Sequence, residues 1–330
     1  CRRKMKEKVL ELLENATGYL SGQYISEMLN VSRTAVWKNI VALREDGYEF
    51  DAVNKRGYRL TKRGDLFSEK RIAHWLEVYG ANYRVHFKET VNSTNAWAKA
   101  FAENGDENIL CVADEQSGGR GRRGRTWASK KGQDIFMSLL IKEKALKTEN
   151  ASMLTLVAAL AVATGIKELT GLEPFIKWPN DIVIQGKKLC GILTEMSTDV
   201  DGLRYCVCGI GINVNGKEFP EEIKDKATSL YLESTQQIER AQLTALIAKK
   251  FLKYMAIFME TQDFSKLKKE YEDLLVNRGK KVKVLDSKGE YIATAKGIDE
   301  RGELLVCTED GKMKTIFSGE VSVRGVYGYC

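Results

Sequence analysis

The chain has 330 residues, 43% hydrophobic and 29% charged, with a formal net charge of +7. That length predicts two or three domains, and the composition is that of an ordinary soluble globular protein. No apolar run approaches the roughly 20 residues of a membrane span, and the basic, polar N-terminus has no signal-peptide core, so a cytoplasmic protein with no membrane partner is expected. The seven cysteines are odd in number and scattered, mostly in apolar runs such as those around Cys111, Cys190 and Cys307. Cys206 and Cys208 fall on one face of a strand. There is no C-x-x-C pair, and the only histidines are His74 and His86. Reduced, buried thiols are therefore expected, and no metal site.

Residues 1–65 form the first predicted domain and carry 13 Lys+Arg against 9 Asp+Glu. Met5–Glu14 reads as an amphipathic helix closed by Gly18. A second short helix runs from Tyr24 to Leu29 and ends at Asn30, a residue that tolerates a left-handed cap. Ser32 is placed to cap a third, Arg33–Glu45, with Ala35, Val36, Ile40 and Leu43 inward. Two alternating strands around Asn54-Lys55-Arg56-Gly57 then make a hairpin wing. The whole reads as a winged helix-turn-helix. In that reading Arg33, Lys38, Lys55 and Arg56 meet phosphates, while Thr34, Trp37 and Asn39 face base edges. A small helical interaction domain with a solvated basic face is the bland alternative.

Residues 66–275 alternate helix and strand, which predicts a central mixed-sheet α/β domain. The expected elements are a helix at 69–79, a strand at 83–88, a helix near 94–103 and strands at 109–113 and 135–141. A long apolar helix follows at 151–169. Between the last two strands lies Asp114-Glu115-Gln116-Ser117-Gly118-Gly119-Arg120-Gly121-Arg122-Arg123-Gly124-Arg125-Thr126-Trp127. Glycines let a backbone turn sharply and bring N–H groups to a ligand, and arginines add permanent charge with forked donors. The loop reads as an anion cradle or, equally, as a flexible RGG-like RNA-binding patch. Ser93-Thr94-Asn95 sits at a strand-to-helix join, where a hydroxyl either caps the helix or faces a ligand. Asn180 and Asp181 lie in a turn between apolar strands. Asp181 and Lys188 then occupy opposite ends of a hairpin arm, sharing a face only if the pleat allows. Gly209 and Gly211 end a strand and allow close approach. Gly216–Lys226 carries no recognisable motif.

Residues 276–330 switch to a period of two. Five short strands separated by turns at 287–289, 300–302 and 310–311 predict a small SH3-like β-barrel. The fold class is thus multidomain α+β.

Taken in order, these clusters carry a resemblance. Ser93-Thr94-Asn95, Gln116, Gly119 to Arg125, Trp127, Lys177-Trp178-Pro179-Asn180-Asp181, Lys188 to Leu193 and Gly209-x-Gly211-Ile212-Asn213 resemble the bacterial biotin–protein ligases. With the winged helix attached, the chain is similar to the bifunctional form, ligase and biotin-operon repressor. The resemblance implies a class II synthetase-like ligase domain that makes biotinyl-5′-adenylate from biotin and ATP, with Mg²⁺ on the phosphates. It then passes biotin to a lysine of an apo-biotin carboxyl carrier protein. It implies operator DNA as a second partner, with biotinyl-AMP as corepressor and a homodimer when the adenylate is bound.

Carried over residue by residue, biotin falls to Ser93, Thr94, Asn95, Gln116, Arg120, Gly121, Arg122, Lys188, Gly209 and Gly211. ATP and the adenylate fall to Arg125, Trp127, Asn180, Asn213 and Ala227. Lys188, Arg122 and Asp181 are the catalytic candidates, and Arg123 is a candidate for the dimer contact. Readings kept open beside this are a lipoate or octanoate ligase, a biotin-sensing repressor without catalysis, and an RNA-binding protein.

Overall fold

The computed structural model describes residues 2–325 except Asp46, Lys55, Arg63, Ala128, Ser129, Ser287, Lys288 and residues 318–321, with backbone alone at 2–4, 62, 286 and 322–325. Lys55, expected at a DNA phosphate, lies outside the described residues.

Helices α1 (Arg2–Glu14), α2 (Gly22–Leu29) and α3 (Arg33–Glu45) precede a two-stranded antiparallel wing, β1 (Glu49–Val53) and β2 (Gly57–Lys62). Ser21 Oγ accepts from Tyr24 N at 3.0 Å, and Asn30 ends α2 in the left-handed region at φ 50°. Ser32 Oγ accepts from Ala35 N at 3.2 Å to start α3. Val9, Leu10, Leu13, Ile25, Val36, Ile40 and Leu43 make this domain's core. One expectation is corrected. Asn39 does not face outward: it is buried, and its Nδ2 donates to the Ala35 carbonyl at 2.8 Å. Helical spacing explains why, since positions 36, 39, 40 and 43 share one face.

The central domain holds β3 (Arg84–Val91), β4 (Ile109–Gln116), β5 (Ile135–Ile141), β6 (Phe175–Lys177), β7 (Asp181–Ile184), β8 (Lys187–Asp199) and β9 (Gly202–Ile212). Its helices are α4 (Glu69–Tyr79), α5 (Thr94–Glu103), α6 (Leu154–Thr170), α7 (Leu230–Ser234), α8 (Arg240–Thr261) and α9 (Lys268–Asp273). The strands form one sheet in the order β3-β4-β5-β9-β8-β7-β6, with β3 and β4 parallel and every other pair antiparallel. Alternation sorts the side chains into two faces. Leu110, Val112, Met137, Leu139, Cys206 and Cys208 pack with α4, α6 and α8. Ile109, Cys111, Leu140, Tyr205 and Val207 pack instead on Ala98 and Ala102 of α5. Cys206 and Cys208 share a face, buried, with free thiols. Burial pushes both up to about 12.

The residues from Thr148 to Thr170, α6 with its leading 3₁₀ turn, are long and apolar enough to cross a membrane by length and composition, with a mean hydropathy of 1.5. This differs from the expectation that no apolar stretch approaches membrane length. Here the helix is a core element, clamped between the sheet and α8, and its apolar character follows from burial all round.

The C-terminal strands β10 (Lys281–Asp286), β11 (Gly289–Ile298), β12 (Leu304–Thr308), β13 (Met313–Ile316) and β14 (Ser322–Gly325) form an antiparallel sheet in the order β13-β12-β11-β10-β14. That order is consistent with a small barrel having β13 and β14 at its seam. Val282, Val284, Ala293, Ile298 and Leu304 merge with the central core. Trp178 Nε1 donates to the Gly302 carbonyl at 2.9 Å, which ties this sheet to the turn before β7.

Buried ion pairs join the winged helix to the central domain. Arg71 of α4 reaches Glu14 of α1 and Glu239, the residue before α8. Next in sequence, Arg240 reaches Asp65 at 2.5 Å and Asp114 at 2.7 Å, and Asp114 stands where β4 runs into the Gly/Arg loop.

Candidate active site

Helix α5 covers only part of its face of the sheet. The rest is floored by glycines, because Gly191 of β8 pairs with Gly211 of β9 and Leu193 pairs with Gly209. A Cβ on Gly191 would stand 2.6 Å from the Trp127 ring, and one on Gly211 would stand 2.9 Å from it. One on Gly209 would collide with the Asn95 amide. The glycines are there because Trp127 and Asn95 occupy the space that side chains would take. Above this floor lies a cleft of about 940 Å³.

The Gly/Arg loop forms one wall and is folded by its own backbone. Gly121 N donates to Arg125 O at 2.7 Å, Trp127 N donates to Gly119 O at 3.0 Å, and Arg120 bridges Thr126. Arg123 takes the left-handed conformation, φ 57°, at the tip. Arg122 Nη1 donates to Asn180 Oδ1 at 3.1 Å, and Asn180 Nδ2 donates to the Ile192 carbonyl at 3.0 Å. Burial, then the neighbouring Arg123 charge, pulls the Arg122 guanidinium below its ordinary value, while Asp181 works the other way.

Lys188 and Asp181 meet on this face, with Lys188 Nζ 2.6 Å from Asp181 Oδ1 and 5.3 Å from the Trp127 ring centroid. A β-bulge brings them together. Ile182 pairs with Cys190 but Val183 pairs with Lys188, so Leu189 is skipped. In an unbroken ladder Lys188 would oppose Ile184 and point away from Asp181; the extra residue turns it to the cleft.

At the other end Ser93 Oγ caps α5, accepting from Ala96 N at 3.5 Å. Gln116 Oε1 accepts from Thr94 N at 2.8 Å and lies 3.1 Å from the Thr94 hydroxyl. The cleft therefore gathers Ser93, Thr94, Asn95, Gln116, Arg120, Gly121, Arg122, Arg125, Trp127, Asn180, Asp181, Lys188, Gly209 and Gly211. Asn213 and Ala227 stand outside its lining. Asn213 is buried and donates to the Thr228 carbonyl at 2.9 Å, and Ala227 bridges the backbone of Lys188. Sequence reading missed Asp225 and Lys226, which line the cleft, as well as Ser138 and Glu195, which support it. The stretch holding Asp225 and Lys226 shows no periodicity, and it is pinned to the site from far away in the chain, by Lys188 N donating to Lys226 O at 2.7 Å.

A basic face with exposed Arg33, Thr34, Trp37, Lys38 and Arg56 on the first domain, and a cationic, glycine-floored cleft on the second, define a DNA-binding protein fused to an enzyme of anionic substrates. The comparisons agree. The Biotin/lipoate A/B protein ligase family matches residues 87–213, an HTH domain matches 6–59, and the Biotin protein ligase C terminal domain matches 279–324. The Bifunctional ligase/repressor BirA of Bacillus subtilis (strain 168) is 39% identical over 326 residues, 98% of this chain and 99% of that protein. Its Escherichia coli (strain K12) counterpart is 29% identical over 319 residues, 96% of each chain. Among solved structures, the biotin protein ligase from Aquifex aeolicus in complex with biotin and ATP is similar with a TM-score of 0.65 and 35% identity, covering 73% of this chain and 99% of that one. The chain belongs to the biotin protein ligase family, in the form that carries an N-terminal helix-turn-helix domain.

Proposed function

We propose that the chain joins biotin to ATP as biotinyl-5′-adenylate, releasing pyrophosphate, and passes the biotinyl group to a lysine of a biotin carboxyl carrier protein, releasing AMP. The same adenylate acts as corepressor: the loaded chain dimerises and binds operator DNA through its winged helix. The observation that carries the reading is the placement of Lys188, bulged onto the cleft face between Asp181 and Trp127, opposite the Arg122–Asn180 pair.

In the first step a carboxylate must attack an α-phosphate. Two unit charges about 4 Å apart repel by roughly 4 kcal/mol at an effective dielectric near 20, about a thousandfold in rate. Lys188, Arg120, Arg122 and Arg125 offset that repulsion from fixed positions. Biotin's ring is assigned to the Ser93, Thr94, Asn95 and Gln116 end over Gly209 and Gly211, with its carboxylate at Arg122 and Lys188. The adenosine is assigned to Arg125, Trp127 and Asn180 beside Asp225 and Lys226, with Asn213 and Ala227 behind them. Mg²⁺ comes with the triphosphate and shields its charge. Among the described residues no group of three His, Cys, Asp or Glu side chains is placed to hold a metal ion. In the second step Asp181 orients the carrier lysine and accepts its proton.

Incubating the chain with biotin, MgATP and an apo-carrier domain tests both steps. Pyrophosphate release without carrier, and biotinylated lysine with it, are expected. Activity with lipoate or octanoate in biotin's place would overturn the choice of acid, and neither product with any acid would overturn the enzyme.

A further inference from the structure

Beneath the Thr94 end of the cleft runs an unbroken chain of polar contacts. Lys99 Nζ lies 2.6 Å from Glu195 Oε1, and Asn95 Nδ2 donates to Glu195 Oε2 at 2.7 Å. Ser138 Oγ lies 2.6 Å from Asn95 Oδ1 and 2.8 Å from Thr94 Oγ1. Ser138 is wholly buried, with Thr94 and Asn95 nearly so. Hydrogen-bond chemistry fixes the direction of this chain. Glu195 Oε2 and the Leu193 carbonyl, 3.2 Å from Asn95 Nδ2, can only accept, so the amide nitrogen must face them and the amide oxygen must face Ser138. Ser138 has one proton, and Asn95 Oδ1 takes it. The Thr94 hydroxyl must then spend its own proton inside the chain, on Ser138 Oγ or Gln116 Oε1. Both its lone pairs are left for N–H donors in the cleft.

We propose that Glu195 is a positioning residue for recognition of biotin's ureido ring: by fixing the Asn95 amide it sets the direction of the chain through Ser138 and holds Thr94 as an acceptor toward ureido N–H groups. The inference rests on the placement of biotin at the Thr94 end. Lys99 demands an oxygen from residue 195. In Glu195→Gln that oxygen stays with Lys99, so the new NH₂ group faces Asn95 Nδ2. Asn95 then flips, giving up its longer bond to the Leu193 carbonyl, its nitrogen donates to Ser138, and Ser138 turns its proton onto Thr94. One lone pair is lost to the ligand. Changing Asn95→Asp in the same chain restores the direction at Thr94, though not the bond to the Leu193 carbonyl: the glutamine donates to the aspartate, and the aspartate again accepts from Ser138.

The test measures biotin Kd and KM, ATP KM and thermal stability for Glu195→Gln, Asn95→Asp, the double variant and Thr94→Val. Glu195→Gln is expected to raise biotin Kd and KM about tenfold, on the scale of one misdirected hydrogen bond, and to shift ATP KM by less than about twofold. The double variant recovers most of that loss, whereas Asn95→Asp alone, which sets two carboxylates side by side, does worse than Glu195→Gln. If Thr94→Val weakens biotin binding and Glu195→Gln does not, the positioning role is overturned and the biotin site stands. If neither does, the biotin site itself is misplaced. If Glu195→Gln lowers stability and both substrates' affinities together, with no recovery in the double variant, Glu195 only holds the fold and the proposal fails.

Discussion

Arg71 and Glu14 meet fork to fork across the boundary between the winged helix and the central domain. Arg71 Nη1 and Nη2 donate to the two Glu14 carboxylate oxygens at 2.8 and 2.9 Å. Both side chains are largely buried, and Arg71 Nε also donates to Glu239. Arg71→Ala would leave two buried carboxylates without their cation and should destabilise by about 3–5 kcal/mol. Glu14→Gln keeps the shape and should cost about 1–2 kcal/mol. Thermal unfolding distinguishes the two, and limited proteolysis between residues 60 and 68 should speed up in the first variant.

Lys188 and Asp181 should separate the two half-reactions. Lys188→Ala is expected to slow adenylate formation by about a thousandfold, the size of the uncompensated repulsion. Asp181→Asn should leave pyrophosphate release far less affected but slow transfer from preformed adenylate by at least about a hundredfold. Single-turnover assays of each step read this directly, and equal losses in both steps would remove Asp181 from proton acceptance.

Gly191→Ala or Gly211→Ala pushes a methyl group against the Trp127 ring, which cannot give way without leaving the cleft floor. Overpacking of this kind costs about 1–3 kcal/mol. ATP KM should rise by at least about tenfold together with a change in tryptophan emission.

Asp134 gives a pH signature. Burial is the largest influence on its carboxyl and raises it to about 6, against the hydrogen bond it accepts from Val214 N. The fold therefore holds this proton more tightly than the unfolded chain does. The contribution is full below about pH 4 and is lost as pH rises through about 6. Asp134→Asn keeps the acceptor for Val214 N and removes the titration. It should flatten the stability profile between about pH 4 and 6 and raise stability above pH 6 by up to about 3 kcal/mol. Denaturant titrations across that range check it.

On the first domain, Lys38→Ala should weaken DNA binding and lower the salt slope by about one, as loss of one phosphate contact does. Asn39→Ala should instead lower the domain's thermal stability by about 1 kcal/mol through the lost bond to Ala35, with little effect on base preference. A gel-shift series at several salt concentrations distinguishes the two.

Sequence made the local features legible. Ser21, Ser32 and Ser93 cap the helices they precede, because capping depends on three or four neighbouring residues. Most cleft-lining residues stood out for the same reason: Gly, Arg and Pro-Asn-Asp turns interrupt apolar strands. Asn39 is misleading in the sequence because its polarity suggests exposure, against the helical spacing that buries it. Ser138, Lys99, Glu195 and the Arg71 and Arg240 clusters stayed hidden, since each acts on a partner far away in the chain. Arg71 and Glu239, for example, are 168 positions apart. The bulge at Leu189 was invisible too, because a one-residue change in register leaves no mark on composition.

The indole of Trp178 donates to Gly302, two residues before β12, while the neighbouring Lys177, Pro179 and Asn180 line the cleft. The closing module is thus a keystone rather than an appendage. A chain cut after residue 275 would lose the acceptor for a buried N–H and one apolar wall of its core in the same stroke, directly behind the catalytic hairpin. Deleting the last strands should abolish ligation even though none of their described residues borders the cleft.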